Sequence, residues 1–403
     1  MHRHVLHQPG VTARLFCSME LTSRMTGGIG KSDPHLKGGY AIINQRKRQG
    51  AAGKTSRLRT KGRQEKVGMA EQERLKYMII GAGGTGGAVG SHLARAGYDV
   101  TFIARGKHLE AMRKNGLKVL KPDGDFTVDP VQAFTSDEFQ EMIRSGACSD
   151  EALETGSADI RPDVIFVCLK GYSIDGMIPF LAGAAGPDTV IIPILNIFGT
   201  GGKMQEKLPD VTVTDGCIYV ASEVSEPGVI LMKGGILRVV FGLRREQKTA
   251  GNAKLMAVLG KVRDDLCDAG IEGILSDNIE RDAMRKFSYV SPQGACGLYY
   301  DVPVGAVQKP GEVRECFASL VQEISNIADA MGIGFGEDVV SINLEITEGL
   351  APDMTTSLQR DIARGGASEI DGLIYEVPRL AARYGVSVPV YEKIAAALRE
   401  RGL

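Results

Sequence analysis

The sequence predicts an α/β protein in which a Rossmann-type dinucleotide-binding domain is followed by an all-helical C-terminal domain. Three observations predict this fold. A glycine-rich turn directly follows a short apolar run near residue 80, further apolar runs alternate with helical segments as far as residue 276, and from there to residue 403 the apolar periodicity is almost entirely helical. We therefore expect domains at residues 74–276 and 277–403, with a substrate cleft between them.

Residues 1–73, which precede these domains, form a basic segment. Its first 68 residues contain 14 lysines and arginines against three acidic residues, a net charge of +11, so the rest of a chain of formal charge −1 carries −12. Many glycines and little apolar periodicity argue against the amphipathic helix of a transit peptide, and a basic arm that binds nucleic acid is a second reading. We favour a disordered extension upstream of a true initiator at Met69, and we expect no nucleic-acid binding by the folded body.

The composition is that of an ordinary globular protein, with 43% apolar and 24% charged residues among 403. The longest apolar stretch, residues 190–198, is interrupted by Pro193 and Asn196 and is far shorter than the roughly 20 residues that span a bilayer. We therefore expect no membrane association.

The seven cysteines include no C-x-x-C pair, which favours a reducing, cytoplasmic setting. Beyond residue 68 the only histidines are His92 and His108, so we expect no metal site.

The glycine-rich turn is the first element with a chemical meaning. An apolar strand at 77–80 leads into the turn, a helix follows it, and a second strand is predicted at 98–104. This order of strand, glycine turn and helix is the one that dinucleotide binding requires, with Gly81 for the tight turn, Gly83 for close approach of the pyrophosphate and Gly86 for close packing of the helix. The predicted cofactor contacts of the turn are Gly81, Ala82, Gly83, Gly84, Thr85 and Gly86.

The end of the second strand indicates which dinucleotide binds. An NAD-binding site places an acidic residue about 20 residues beyond the glycines, where it binds the ribose 2′-hydroxyl. Here Arg105 and Lys107 stand at that place, and the next acidic residue is Glu110. Because a guanidinium binds a 2′-phosphate that a carboxylate would repel, the sequence favours NADPH/NADP+ over NAD. The alternative interpretation of Arg105 is a solvated loop charge.

Two polar residues follow the next two predicted strands. Lys170 comes after the apolar run 163–169, and Asn196 comes after the run 189–195. In open α/β sheets ligands bind outside the carboxyl ends of the strands, so both residues are candidates for contact with the cofactor, and Asn196 also for contact with a substrate carbonyl. Each taken alone could equally be a turn residue. His92 and His108 are expected to be structural.

The second half of the chain changes from strands to helices. Strands are predicted at 211–224, 229–232, 237–242 and 271–275, and a helix is predicted at 252–268. Further helices are predicted at 279–290, 311–331, 337–347, 354–364, 369–384 and 389–401. The long apolar helix at 311–331 would support a homodimer, although nothing in the sequence determines the oligomeric state.

Five motifs in this order resemble the ketopantoate reductase (2-dehydropantoate 2-reductase) family, over about residues 75–403. The motifs are the glycine turn with Arg105, Cys168-Leu169-Lys170, Asn196 with Gly199, Arg285-Lys286-Phe287, and Ser357 with Asp361 and Glu369-Ile370-Asp371. The resemblance implies NADPH-dependent reduction of a 2-keto acid to a 2-hydroxy acid, with ketopantoate as the leading substrate and pantothenate synthesis as the leading role. It also implies that the protein acts on a small-molecule 2-keto acid substrate.

The resemblance also implies roles for individual residues. Lys286 would be the general acid, Lys170 and Asn196 would help to bind cofactor and substrate, Ser357 would bind the carboxylate side of the substrate, and Glu369 would bind the cofactor or orient the lysine. A lysine suits the chemistry because hydride addition to a ketone leaves an alkoxide that needs a proton donor. Burial in a cleft would lower the pKa of such a lysine from about 10.4 toward a useful range.

Both charged residues have a plainer interpretation. Lys286 could be a surface lysine of a helix that pairs with Asp282, four residues earlier. Glu369 could be an acidic residue in the first turn of a helix capped by Ser368 after the breaker Gly365-Gly366. The family resemblance favours the catalytic interpretation of both.

The chain departs from the family pattern at four places. Family members usually carry an aromatic residue two positions before the catalytic lysine, asparagines four and eight positions after it, and Asn-Gly at the Asn196 site. These places hold Met284, Val290, Gly294 and Ile197. Only Ser291 and Gln293 are near enough in sequence to replace the missing amides, and we expect Ser291 to bind substrate. Two alternatives remain open: a reductase of a different 2-keto acid, and an NADPH-sensing protein without turnover.

Overall fold

The computed structural model describes residues 74–147, 160–249 and 251–403. The expected basic extension at residues 1–73 lies outside the described residues. A parallel sheet flanked by helices is followed by a helical domain, so the predicted fold class is confirmed. No helix in the described ranges is long and apolar enough to cross a membrane.

The first sheet is a six-stranded parallel sheet. Its strands are β1 (Lys76–Ile80), β2 (Asp99–Ile103), β5 (Gln132–Phe134), β6 (Val164–Val167), β7 (Val190–Pro193) and β8 (Thr212–Val213). They stand in the order β5-β2-β1-β6-β7-β8, and the order reverses between β1 and β6, whose residues Ile80 and Val167 are paired. Every residue of β6 and β7 is buried, as expected for strands covered on both faces. The reversal places a ligand crevice outside the carboxyl ends of β1 and β6.

A helix follows each of these strands except β8, and the helices cover the sheet. They are α1 (Gly84–Arg95), α2 (Gly106–Asn115), α3 (Ser136–Met142), α4 (Ile174–Ala184) and α5 (Thr200–Lys207). Helix α3 begins at a capping box in which the Thr135 hydroxyl accepts from the Glu138 amide and the Glu138 carboxylate accepts from the Thr135 amide. The connections are short, which brings the residues that follow each strand to one edge of the sheet.

A second, mixed sheet packs on the other side of α1. It consists of β3 (Leu117–Leu120), β4 (Phe126–Val128), β9 (Asp215–Glu226), β10 (Val229–Gly242) and β11 (Glu272–Leu275), with helix α6 (Ala253–Asp268) beside it. The two strands predicted at 229–232 and 237–242 are one strand, β10, whose register against β9 shifts between Met232 and Leu237. The strand predicted at 211–224 is divided, because residues 212–213 pair with β7 in the first sheet and β9 begins at Asp215.

The helical domain is built around one long helix, α7 (Ile279–Tyr299). Around it stand α8 (Glu312–Ala330), α9 (Val339–Glu348), α10 (Ser357–Ala363), α11 (Glu376–Tyr384) and α12 (Pro389–Glu400). The helix predicted at 354–364 begins only at Ser357, because Thr356 caps it. The helix predicted at 369–384 starts with a π-helical turn, Asp371–Tyr375, before α11.

Helix α7 runs beyond its predicted end at residue 290 and continues through Pro292. A proline inside a helix lacks the N–H that would bond to the carbonyl oxygen four residues earlier, which here is that of Ser288. The side-chain amide of Asn343 on α9 donates to that carbonyl oxygen at 3.0 Å. Because the side chain of a neighbouring helix replaces the missing donor, the helix continues past the proline.

Candidate active site

The glycine turn between β1 and α1 has the geometry of a phosphate cradle. Gly81 adopts a φ of +92°, a conformation that side chains disfavour. A Cβ on Gly86 would lie 2.1 Å from the carbonyl oxygen of Gly81, whereas a Cβ on Gly83 would meet nothing within 4 Å. Gly86 thus allows α1 to pack against the turn, and Gly83 faces open space. No acidic residue occupies the first turn of α1 and no side chain caps it, so its first amides remain available to an anion.

Two other members of the turn, Ala82 and Gly84, are packed against protein. A Cβ on Gly84 would lie 2.7 Å from the carbonyl oxygen of Ser222 on β9, and Ala82 is buried. The Ala82 carbonyl accepts a hydrogen bond from Nε2 of His108 at 2.8 Å, and Nδ1 of His108 accepts from the Gly228 amide at 3.0 Å. His108 therefore holds the turn against the β9–β10 hairpin. The pKa of His108 is lowered by burial, against the opposing effect of the bond to Ala82.

Arg105 lies at the carboxyl end of β2, where it is the N-cap residue of α2. The side chain is exposed and forms no ion pair with any residue that the structure describes. Since the carboxyl ends of β1 and β2 are adjacent in the sheet, Arg105 lies on the same edge of the sheet as the glycine turn. This position fits a cation that binds the phosphate of a dinucleotide bound across the turn.

Lys286 lies on α7 and points at the end of β7. Its Nζ donates to Oδ1 of Asn196 at 2.8 Å, and the ammonium stands 5.5 Å from the centroid of the Tyr219 ring on β9. Lys286 is only 6% exposed. Burial lowers its pKa below the ordinary value, although the nearby Cys217 and Glu369 act in the opposite direction. A buried ammonium with a lowered pKa is a suitable proton donor near neutral pH.

The neighbours of Lys286 explain its orientation. Asp282, the partner expected of a surface lysine, is engaged elsewhere, since it accepts from the Ser276 hydroxyl at 2.6 Å and pairs with Arg281. The interpretation of Lys286 as a surface lysine paired with Asp282 is therefore wrong. Directly after Lys286 on α7, the ring of Phe287 packs on Phe198, with centroids 6.3 Å apart. This contact fixes the loop that carries Asn196 against the helix.

Lys170 joins the two domains through an ion pair cluster. Its Nζ lies 2.9 Å from Oδ2 of Asp361 on α10 and 3.0 Å from Oε2 of Glu369. The second oxygen of Glu369 accepts from the amide of Gly171 at 3.1 Å. Burial lowers the pKa of Lys170, but Glu369 and Asp361 outweigh it, so the pKa is raised overall. Lys170 is thus held as a cation where β6 ends.

Glu369 is not a solvated first-turn residue. It is 5% exposed, and the helical segment after it begins at Ile370 with the π-helical turn, so Ser368 is not the N-cap. Both carboxylate oxygens are used, one by Lys170 and one by the Gly171 amide. The carboxylate therefore holds the loop after β6 against the helical domain.

The two candidate serines lie in different surroundings. Ser357 is the first residue of α10, half-buried, and its hydroxyl bonds to no other residue in the described ranges. Ser291 is fully buried, and its hydroxyl bonds to the Leu373 carbonyl and to the Tyr391 hydroxyl at 2.6 Å. The expectation that Ser291 binds substrate is therefore wrong, because its hydroxyl is used inside the core of the helical domain.

Two contacts of the site were missed by the sequence analysis. Tyr219 lies under the ammonium of Lys286, and Ile197 fills the space between two glycines. A Cβ on Gly171 would lie 2.3 Å from Ile197, and one on Gly372 would lie 2.4 Å from it. Gly171 and Gly372, which lie on either side of Ile197 in space, were a sequence signal that a large side chain packs there. Nothing in the local sequence singles out Tyr219.

Two family models match most of the chain. Residues 77–246 match the family model described as ketopantoate reductase PanE/ApbA, and residues 278–402 match the model of the C-terminal part of the same family. The uncharacterized oxidoreductase YkpB of Bacillus subtilis (strain 168) is 25% identical over 325 residues, which cover 81% of this chain and 98% of that protein. A 2-dehydropantoate 2-reductase of Mesorhizobium japonicum is 24% identical over 349 residues, with 81% and 99% covered.

The fold is also that of a solved dehydrogenase. The ternary structure of D-mandelate dehydrogenase with NADH and anilino(oxo)acetate has a TM-score of 0.66 and 19% identity, and the match covers 81% of this chain and 98% of that one. The chain therefore shares the fold of that dehydrogenase. The two family models together span most of the chain, and on this basis it is an oxidoreductase that belongs to the ketopantoate reductase PanE/ApbA family.

Proposed function

We propose that the protein reduces 2-dehydropantoate (ketopantoate) to pantoate with NADPH, and so serves pantothenate synthesis in the cytoplasm. The observation that carries this proposal is the buried ammonium of Lys286, bonded at 2.8 Å to Asn196 at the end of β7. Both residues lie where the carboxyl edge of the parallel sheet meets the helical domain, which is the expected place for a cofactor and a substrate.

The cofactor would supply the hydride that adds to the keto carbon. Lys286 would give its proton to the oxygen of that carbonyl as negative charge develops there. The bond to Asn196 orients the ammonium, and burial lowers the pKa of Lys286, which favours release of the proton. After transfer the amine is neutral, a state that burial favours.

The residues around Lys286 would bind and orient the two reactants. The amides at the start of α1 and the guanidinium of Arg105 would hold the phosphates of NADPH. Lys170 and Asn196 would contact the cofactor and the substrate, and the free hydroxyl of Ser357 would bind the carboxylate side of the substrate. Glu369 would act through Lys170, whose ammonium it holds at 3.0 Å, and would keep the loop after β6 in place.

A second candidate is the reduction of a different branched or larger 2-keto acid. Val290 and Gly294 favour it, because they follow Lys286 by one and two turns of α7 and carry no polar group. A site that offers no hydrogen-bond partner for a substrate hydroxyl discriminates only weakly between a substrate that carries this hydroxyl and an analogue that lacks it.

A panel of 2-keto acids, followed by the loss of NADPH absorbance, tests the proposal. We expect turnover with 2-dehydropantoate and a higher kcat/KM with NADPH than with NADH. A distinctly higher kcat/KM with another 2-keto acid would establish the second candidate. Tight NADPH binding without turnover of any member of the panel would instead indicate an NADPH-sensing protein.

A further inference from the structure

Gln293 of α7 carries a buried amide oxygen without a partner. The residue is 4% exposed, and its Oε1 is completely enclosed yet receives no hydrogen bond from the residues that the structure describes. Leaving a buried acceptor unpaired costs folding free energy, and native proteins do so rarely. Such a group is retained where something outside the chain pairs with it.

Two other buried polar side chains on this stretch of α7, Ser288 and Ser291, are satisfied. Ser288 is bonded by the side-chain amide of Asn343, which donates to its carbonyl at 3.0 Å and to its hydroxyl at 3.1 Å. Ser291 is bonded to the carbonyl of Leu373 and to the hydroxyl of Tyr391. The unpaired oxygen of Gln293 therefore stands beside satisfied neighbours, although the buried Nε of Arg285, about two turns earlier on α7, also has no hydrogen-bond partner among the described residues.

The position of Gln293 on the helix relates it to Lys286. Seven residues are close to two full turns, so the two side chains leave α7 from nearly the same face. One end of this face meets Asn196 through Lys286. At the other end the face meets α10, where a Cβ on Gly297 would lie 2.5 Å from the side chain of Gln359. Gln293 thus stands between the proton donor and α10, the helix that begins at Ser357.

The residues beside Gln293 on this face are apolar. Val290 precedes it by three positions. Gly294 follows it directly, and a Cβ added to Gly294 would lie 3.2 Å from the side chain of Leu358. A ligand that extends from Lys286 along the face therefore meets apolar groups and a single amide. The chemistry that fits is a branched hydrocarbon tail with one hydrogen-bond donor.

We infer that Gln293 determines substrate specificity, and that its amide oxygen accepts a hydrogen bond from a hydroxyl on the tail of the 2-keto acid. This inference rests on the proposed function and deepens it, since it selects hydroxylated over purely hydrocarbon tails. Gln293 replaces the polar groups that Val290 and Gly294 lack. The residue touches the tail of the substrate and takes no part in proton transfer.

Two substrates that differ only in this hydroxyl test the inference. These are 2-dehydropantoate and trimethylpyruvate, in which a methyl group replaces the hydroxymethyl group. We expect the wild-type enzyme to prefer 2-dehydropantoate in kcat/KM, and Gln293→Met to lower kcat/KM about 10-fold for that substrate while changing that for trimethylpyruvate by less than about 2-fold. An equal loss for both substrates, or no loss for either, would overturn the inference.

The stability of the ligand-free protein gives a second readout. Because the Gln293 oxygen has no partner, Gln293→Met should leave Tm unchanged or raise it. The matched control is Asn343→Leu, which removes a buried amide whose nitrogen donates two hydrogen bonds and should lower Tm clearly. A fall in Tm for Gln293→Met as large as that of the control would assign Gln293 a structural role instead. If the wild-type enzyme reduces neither substrate, the proposed function itself fails, whereas reduction of both with unchanged discrimination in the variant overturns only the role of Gln293.

Discussion

The ammonium of Lys286 and the side-chain oxygen of Asn196 lie 2.8 Å apart, although 90 positions separate the residues in the chain. Lys286 belongs to the helical domain and Asn196 to the nucleotide-binding domain, so this bond exists only when both domains are folded. A neutral amide can orient an ammonium without stabilising its charge as a carboxylate would. The lysine is thereby positioned while its pKa stays lowered by burial.

Replacing the lysine removes the proposed acid. Lys286→Met keeps the apolar stem but has no proton to donate, so kcat should fall by about 10²- to 10⁴-fold, the usual contribution of a general acid. The dissociation constant of NADPH should change by no more than about 3-fold, because the phosphates bind at the glycine turn. Single-turnover kinetics and fluorescence titration measure the two quantities. A variant with near-normal kcat would refute the role of Lys286.

Changing the partner of the lysine should shift the pH dependence of the reaction. A general acid works while protonated, so kcat falls as pH rises through its pKa, and burial places that pKa below the ordinary value. Asn196→Asp would add a negative charge next to the ammonium, raise the pKa of Lys286 and move the alkaline limb of the pH–kcat profile to higher pH. Asn196→Ala is the control without added charge and should not move the alkaline limb of the profile to higher pH. An alkaline limb at the same pH in the wild type and in Asn196→Asp would contradict the assignment.

The ion pair cluster of Lys170 should contribute to stability. Lys170→Met would leave the nearly buried carboxylate of Glu369 without its cation, and removing one partner of a buried pair costs about 3–5 kcal/mol. Because the Lys170 side chain is 39% exposed, we expect a smaller loss, about 1–3 kcal/mol. The raised pKa of Lys170 means that this contribution is complete below the ordinary lysine pKa and is lost only as pH rises through the folded value.

Denaturant unfolding at pH 8 measures this loss. The double variant Lys170→Met with Glu369→Gln removes both charges, so it should be more stable than Lys170→Met alone. If the loss of unfolding free energy in the double variant equals the sum of the losses in Lys170→Met and Glu369→Gln, then Lys170 and Glu369 do not interact.

The main features of the fold were predictable because they depend on local patterns. The glycine turn and the apolar runs that end at Lys170 and Asn196 place these residues at one edge of a parallel sheet, whatever the rest of the chain does. The end of α7 was not predictable from such patterns, because Pro292 normally ends a helix. Only the amide of Asn343, 55 positions away from Ser288, allows the helix to continue.

The site shows the same division between local and distant information. Ser291 follows Lys286 by five residues, which on a helix turns it about 140° away, so helix geometry alone argued against it as a substrate ligand. Tyr219 could not be found in this way, because it meets Lys286 only through the packing of α7 against β9, two segments that lie far apart in the chain. The burial of Glu369 likewise depends on Lys170, 199 positions earlier.

The proposed preference for NADPH should depend on Arg105. Its exposed guanidinium at the end of β2 has room for a 2′-phosphate, and NADH lacks this group. Arg105→Ala should raise KM for NADPH by about 10- to 100-fold, the loss of one charge-assisted contact, and change KM for NADH by less than about 2-fold. Lys107→Ala, an exposed neighbour, serves as the matched control. Equal losses with both cofactors in Arg105→Ala would count against a contact with the 2′-phosphate.

Acid should loosen the glycine turn through His108. Nε2 donates to the Ala82 carbonyl and Nδ1 accepts from the Gly228 amide, so the ring fits only as a neutral imidazole. Burial lowers the pKa of His108 in the folded protein, and the unfolded chain therefore binds the proton more readily. The contribution of His108 to stability is complete above the ordinary histidine pKa of about 6.5 and is lost as pH falls toward the folded value.

Urea unfolding between pH 7.5 and about 5 measures this dependence. His108→Gln retains a donor and an acceptor but does not titrate, so its free energy of unfolding should fall less on acidification than that of the wild type. His92 is also buried with a lowered pKa and is present in both proteins, so the difference between the two curves isolates His108. Parallel curves would mean that His108 keeps the same charge in the folded and unfolded states over this range.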